Sequence, residues 1–502
     1  MSEPRSQASI QHKTAFDMVF TSLGHVWSTA LGSGAGLVTR GLVATEAFGA
    51  YAAVDGCSRY LSIGNSVFRN AISKGVPEHL ARGEREASDD ILQAAYTTLF
   101  ISIAIQAAAL VTLAMTLASG LLRFAFLTGA FLNATESINA TDHTFLRSTH
   151  RFRTIAVAHL VTGVVSAGSL LLSSWLFGAE GFFLGLATAS SSRLILVRIL
   201  MRRWPLAYVT WKLRRKIIWR MARTGLGIAL VGLAITTLLT VDRWVILRSL
   251  GAEALGHYSL GTSIMLSASL IPASIVGTYF PALVGLVARN QGAQAAHTAS
   301  QIQALLTLTA ALLFGFLALI GEPAIRIFLP TYQPAVPTYE VTMLLGYLYS
   351  GGMLASSILI AYAKTSRNAV VHAASASLTV VLALFLVRYG TVGVAVASAA
   401  GVGACYFVLT WLAQKSLARQ DLLACYLGGF LLLMGFYLCL WTVGRAVAGG
   451  YLAAVTIGVV WYLTKRLELD WQTLPASARL YLHGRTLAAP PHDRSRNSHP
   501  TA

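Results

Sequence analysis

Stretches of about twenty mostly apolar residues recur along the whole chain, and such a stretch is long enough to cross a bilayer as a helix. Fourteen windows of this kind are present. They begin at 18–38 and 48–68, the two least hydrophobic, pass through 155–177, 182–200, 226–247 and 260–284, and end at 446–464. Only 12% of residues are charged and 55% are apolar, against about 25% charged in a soluble domain. With 13 prolines in 502 residues, the missing charge is not replaced by a disordered composition. The sequence therefore predicts an all-α polytopic membrane protein of about fourteen transmembrane helices. It excludes a secreted disulfide scaffold and a soluble Rossmann or barrel enzyme. The four cysteines, Cys57, Cys405, Cys425 and Cys439, stand far apart without metal-ligand spacing, so no metal and no cofactor is expected.

Lysine and arginine set the orientation, because they accumulate on the cytoplasmic side. With a cytoplasmic N-terminus, 28 of the 38 fall in inner connections, 6 in outer ones and 4 inside spans. One helix more or fewer would destroy that bias. The formal charge of +18 then reads as anchoring to anionic headgroups. It does not read as a nucleic-acid surface, since the basic runs lack interleaved aromatic residues. The first apolar segment follows a polar start and is span-length, so it reads as retained. The predicted organisation is a cytoplasmic N-terminus (1–16), a six-helix bundle (17–200), a basic cytoplasmic linker (201–223), a second six-helix bundle (224–413), two extra transmembrane helices (414–465) and a disordered cytoplasmic tail (466–502).

The two bundles echo each other. Arg40-Gly41-Leu42 with Phe48-Gly49-Ala50-Tyr51 matches Arg248-Ser249-Leu250 with Leu255-Gly256-His257-Tyr258 at an offset of about 207. Arg153, His159 and Gly181 match Arg367, His372 and Gly393 at about 212–214. Six helices per half give both halves one orientation. Their pseudo-twofold axis then lies along the membrane normal, with a transport route expected between them.

The second half resembles the multidrug/oligosaccharidyl-lipid/polysaccharide exporter superfamily, in its polysaccharide, O-antigen-type flippase branch. The resemblance rests on Asp242-Arg243 followed by Gly251 and Leu255-Gly256-His257-Tyr258, on Pro281, on Ile325 to Tyr332, on Tyr362 to Asn368, and on Tyr389 to Ala395. In the first half, Phe145 to Ser148 with Arg151-Phe152-Arg153 resembles the connection before helix 5. The resemblance implies transfer of undecaprenyl-pyrophosphate-linked oligosaccharide between leaflets of the bacterial inner membrane, both termini being cytoplasmic. It also implies working alongside the polymerase and glycosyltransferases of the same pathway.

A charge inside a membrane helix costs about 2.5–3.5 kcal/mol on insertion scales, so it needs a partner or a wet cavity. Asp17, Thr21, His25, Ser28, Gly32, Gly36 and Arg40 form one polar, small stripe on helix 1. The stripe either lines a cavity or allows close helix packing. Asp55 and Arg59, at i and i+4, form either a structural pair or a phosphate site in which Asp55 holds Arg59 until substrate competes. Arg193 and Arg243 are further phosphate candidates, as are Arg40 and Arg248 at the outer ends of their helices. Asp55, Asp242, His25 and Asp17 are candidates for coupling to H+ or Na+ or for polar cavity lining, while His159 and His372 read as packing or proton-accepting residues. Arg198 is expected to snorkel to the inner surface. Pro272 and Pro281, the only prolines inside the windows, are expected to kink helix 8 as a gate.

Three functions compete. A flippase requires a cationic cavity, with the lipid tail left in the bilayer through a side opening. A drug or cation antiporter of the same superfamily requires carboxylates free of basic neighbours. A membrane enzyme assembling polysaccharide requires a large outer loop, which the sequence lacks. There is no Walker motif either, so a gradient, the membrane potential or product consumption must drive transport.

Overall fold

The computed structural model describes residues 24, 27–81, 83–116, 120–149, 151–201, 215–417 and 421–470. Asp17 and His25, most of the 201–223 linker and the tail beyond 470 lie outside the described residues. No strand occurs among the described residues. The helices are α1 (27–42), α2 (Thr45–Ala81), α3 (Arg85–Thr116), α4 (Gly120–Ser148), α5 (Phe152–Met201), α6 (Arg215–Leu238), α7 (Val241–Ala268) and α8 (Leu270–Ala288). They continue as α9 (Gly292–Phe328), α10 (Val336–Ala361), α11 (Thr365–Leu386), α12 (Gly390–Leu417), α13 (Asp421–Thr442) and α14 (Arg445–Asp470).

Seven stretches of described residues are long and apolar enough to cross a membrane. Three of them, Phe152–Met201, Gly225–Gly277 and Thr365–Leu417, are hairpins turning on glycines of positive φ: Gly178 (59°), Gly251 (90°) and Gly390 (73°). Only glycine adopts that backbone without a Cβ penalty. In a straight helix, residues sixteen apart lie about 24 Å apart. Yet the Tyr258 hydroxyl donates to Asp242, sixteen residues back, so α7 folds on itself at Gly251. A Cβ on Gly181 would stand 1.8 Å from the Ser173 carbonyl oxygen, and one on Gly393 would stand 2.0 Å from that of Leu386. The second sequence echo thus marks equivalent close approaches of two hairpin limbs. The windows 155–177 and 182–200 are the two limbs of α5.

The window 260–284 spans the second limb of α7 and α8, which are separated by a break at Ser269. Pro272 supplies the cause. It has no N–H to give the Ala268 carbonyl, and its ring crowds that carbonyl. Regular bonding resumes when the Ala273 N–H reaches the Ser269 carbonyl at 3.0 Å. Pro281 lies within α8 with the helix unbroken around it. Helices overrun the apolar windows, so Pro77 in α2 and Pro323 in α9 also lie within helices.

α2 to α5 pack on one another, and α7 to α14 form a second group around α10, with α13 and α14 against α9. The second group holds the larger apolar core, with Phe314, Tyr347, Tyr426 and Tyr437 fully buried. The first core is smaller and centres on Phe48, Phe126, Phe182 and Phe183. Helix α2 runs along α6 and α7 and joins the groups. At that seam a Cβ on Gly49 would fall 1.8 Å from the Ala252 carbonyl oxygen, and one on Gly256 would fall 2.0 Å from that of Thr45. Gly49 and Gly256 are partners in the first echo, and so are Thr45 and Ala252. The contact is therefore reciprocal, as at an interface between two copies related by a twofold axis.

Candidate functional site

A cavity of about 480 Å³ is lined by Gly32 of α1 and by residues of α2, α4 and both limbs of α5. Every lining residue belongs to α1, α2, α4 or α5, so this cavity lies on the first-bundle side of the seam. The reason is visible in the helices. α2 and α4 are absent from the seven strongly apolar stretches because they carry Asp55, Arg59, Arg69, Asn133 and Glu136 toward this space. A polar network forms the wall behind it. Asn133 Nδ2 donates to Gln106 Oε1 at 2.8 Å, and Asn65 Nδ2 donates to the Ser137 hydroxyl at 3.0 Å. Buried amides of this kind hold position only when satisfied.

Three arginines and two carboxylates line the cavity. Asp55 Oδ2 accepts from Arg59 Nε at 2.8 Å and from Arg243 at 3.0 Å. One carboxylate oxygen thus joins a cavity arginine to an arginine of the second group. Arg193 donates to both oxygens of Glu136, at 3.3 and 3.4 Å, and the Ser190 hydroxyl donates to Oε1 at 3.2 Å. Arg69 lines the same cavity without an acidic partner among the described residues.

The other predicted residues are elsewhere. Arg40 is buried outside the cavity. It donates to the Ser259 hydroxyl at 3.2 Å, the Ser259 carbonyl at 3.3 Å, the Ser263 hydroxyl at 3.2 Å and the Tyr332 hydroxyl at 3.4 Å. Its guanidinium lies 4.3 Å from the Phe48 ring centre. These contacts make Arg40 a clamp between the two groups, and they consume donors that a phosphate would need. Arg248 is exposed next to the Gly251 turn and is not among the residues lining this cavity. Asp242 is buried under Tyr258, accepts from the Ser398 hydroxyl and the Arg243 N–H at 2.8 Å each, and is not among the residues lining this cavity. Arg198 does not reach a surface. It is buried against Asp142, whose other oxygen accepts from Tyr96 at 2.6 Å.

Arg69 and Glu136 escape sequence reasoning. Arg69 falls just past the window 48–68 and is read as part of an inner connection. Glu136 acquires meaning only through Arg193, 57 residues away.

Residues 18–287 match the model of a family described as polysaccharide biosynthesis proteins, more than half of the chain. The chain belongs to that family. No curated protein matches it by sequence. Among solved structures, it resembles an outward-facing multidrug resistance MATE family transporter of the MOP superfamily at 12% identity and TM-score 0.59, covering 81% of this chain and 96% of that one. A MOP superfamily transporter from Pyrococcus furiosus, described as having a binding pocket of reverse polarity, is similar at 14% identity with the same coverage and TM-score. An inward-facing MATE structure matches at 14% identity and TM-score 0.57, covering 79% of this chain and 94% of the other. The family and the shared fold make this chain a multi-pass helical membrane protein of the polysaccharide biosynthesis family, with the fold of those transporters.

Proposed function

We propose that the protein is a flippase that moves an undecaprenyl-pyrophosphate-linked oligosaccharide from the cytoplasmic to the periplasmic leaflet of a bacterial inner membrane. The N- and C-termini are cytoplasmic in this reading, and so is the end of the cavity lined by Arg69. The observation that carries it is the charge balance of the cavity. Both carboxylates already face arginines, while Arg69 has no acid among the described residues. Such a site attracts an anion and repels a cation. A guanidinium also offers a diphosphate two parallel hydrogen bonds. Arg69 is the first contact. Arg59 and Arg193 follow as phosphate draws them from Asp55 and Glu136. The serines and Asn133 that share the lining suit sugar hydroxyls.

The fold likeness to multidrug transporters fits a drug or cation antiporter as well, and charge is what separates the two readings. A deletion strain should accumulate lipid-linked oligosaccharide on the inner leaflet. Arg248→Glu should restore polymer, and Arg69→Glu should not, at matched protein levels. Normal polymer with heightened dye sensitivity in the deletion strain would replace the flippase with the antiporter.

A further inference from the structure

A second cavity of about 430 Å³ lies in the second group, between α6, α8, α10 and α12. Its character is opposite to that of the first. No charged side chain lines it. Phe280, Val276 and Met353 supply apolar surface, and Tyr349 and Tyr406 meet edge to face with ring centres 5.8 Å apart. Tyr406 is only 2% exposed. Neither the Tyr406 nor the Tyr349 hydroxyl has a hydrogen-bond partner among the described residues, and both residues line the cavity, so both hydroxyls are open to a ligand. Their free hydroxyls call for a ligand that is uncharged and carries hydrogen-bonding groups on an otherwise apolar body. A pure hydrocarbon chain would leave both unsatisfied, and a carboxylate would be buried there without a counter-ion.

Position supplies the rest. Helix α6 lines the second cavity and packs on α2, which lines the first, so the two cavities flank the same seam. We propose that this aromatic cavity is the subsite for distal, uncharged sugars of the transported glycan, and that it disfavours acidic sugars at that position. The proposal rests on the flippase reading. Pyranose rings have the required chemistry, with C–H faces that lie on tyrosine rings and hydroxyls that pair with phenols. Pockets of this type use apolar walls for contact and a few polar groups for selection. The cationic cavity then holds the diphosphate while the tyrosines read the far end of the glycan. The two sites divide one substrate according to its charge.

The test uses the full chain in lipid nanodiscs and three farnesyl diphosphate probes: one without sugar, one carrying a neutral trisaccharide, and one carrying the same trisaccharide ending in a hexuronic acid. Binding is followed by calorimetry. The neutral trisaccharide should tighten binding about tenfold over the sugar-free probe, and the uronic form should show no gain. Tyr406→Phe keeps the ring and removes only the hydroxyl. It should lower the gain by about five- to tenfold, the effect of one neutral hydrogen bond, while the sugar-free probe binds as before. A gain that survives both Tyr406→Phe and Tyr349→Ala, or an equal gain for the uronic probe, would overturn the proposal. So would equal weakening of the sugar-free probe, which would place the isoprenyl chain in this cavity. If no farnesyl diphosphate binds at all, the flippase reading falls with it.

Discussion

Asp55 is the one cavity residue that also holds the two groups of helices together, and removing its charge shows how much it carries. Its Oδ2 receives Arg59 at 2.8 Å and Arg243 at 3.0 Å. The side chains of Arg59 and Arg243 are 46% and 7% exposed. Arg59 sits half in the cavity, so its share is that of an exposed pair, about 0.2–1 kcal/mol. Arg243 is nearly enclosed, and Asp55 is its only ion-pair partner among the described residues. Stranding a fully buried partner costs about 3–5 kcal/mol. Asp55 is 23% exposed, and an Asn carbonyl still accepts a bond. For Asp55→Asn we therefore expect about 1–3 kcal/mol lost from the α2–α7 seam, a shift of roughly 5- to 150-fold between joined and parted arrangements. The assay is spin-label distance measurement in nanodiscs in a cysteine-free background, with labels at the exposed positions Val164 on α5 and Phe385 on α11. Asp55→Asn should raise the population with the longer separation. Arg243→Gln should do so less, because Asp55 keeps Arg59. The double variant should be no worse than Asp55→Asn alone. Simple additivity of the two, or distances unchanged by either, would refute the shared-oxygen argument.

Gly256→Ala places a Cβ 2.0 Å from the Thr45 carbonyl oxygen. Overpacking of about 1–3 kcal/mol should lower the melting temperature in detergent, whereas Gly277→Ala, which meets open space, should not. Asp142→Asn breaks the buried pair with Arg198 and should destabilise by about 3–5 kcal/mol, read as lost folded protein, while replacing both residues by apolar ones should recover much of it. Pro272→Ala returns an N–H to the Ala268 carbonyl and should straighten the break at Ser269. Unchanged transport rates would remove this bend from the cycle.

What was legible in the sequence follows from which forces act locally. The helical membrane fold and the echoed glycines Gly181 and Gly393 were readable, because apolar run length and backbone proximity leave marks within a few residues, whereas the hairpin turns at Gly178, Gly251 and Gly390 were not read as turns. Gly49 and Gly256 stood out as an echo because both approach a neighbouring backbone at a distance that admits no Cβ. Hydropathy was weakest on α2, and structure explains why: one face of that helix looks into a polar cavity. Arg59, Asp55 and Arg193 were read as cavity residues and line it, and Arg243 reaches them through Asp55. Arg40 was misread for a physical reason. A buried arginine at the end of a polar stripe has the same sequence signature whether it faces phosphate or a ring of hydroxyls. The same limit applies to Arg198, since nothing near it in sequence announces Asp142. Partners on other helices decide the role of a charge, and a single sequence does not record them.

The two ion pairs at the cavity differ from Asp142–Arg198 in a way that bears on function. Asp142 and Arg198 are sealed, at 0% and 4% side-chain exposure, and act as a structural tie across α4 and α5. The cavity groups are wet. Asp55 and Arg59 are 23% and 46% exposed, and Glu136 and Arg193 are 49% and 31% exposed. Pairs that face water add little stability, yet each charge raises the cost of inserting its helix. Packing gives no compensating return for them. The packed interior of the second group is filled instead by apolar side chains such as Phe314 and Leu433. Apart from the bond from Asp55 to the enclosed Arg243, these charges burden insertion and return little to folding, and their chemistry suits exchange of partners. In the proposed flippase the exchangeable element is the carboxylate partner, which the diphosphate of the substrate would replace at Arg59 and Arg193.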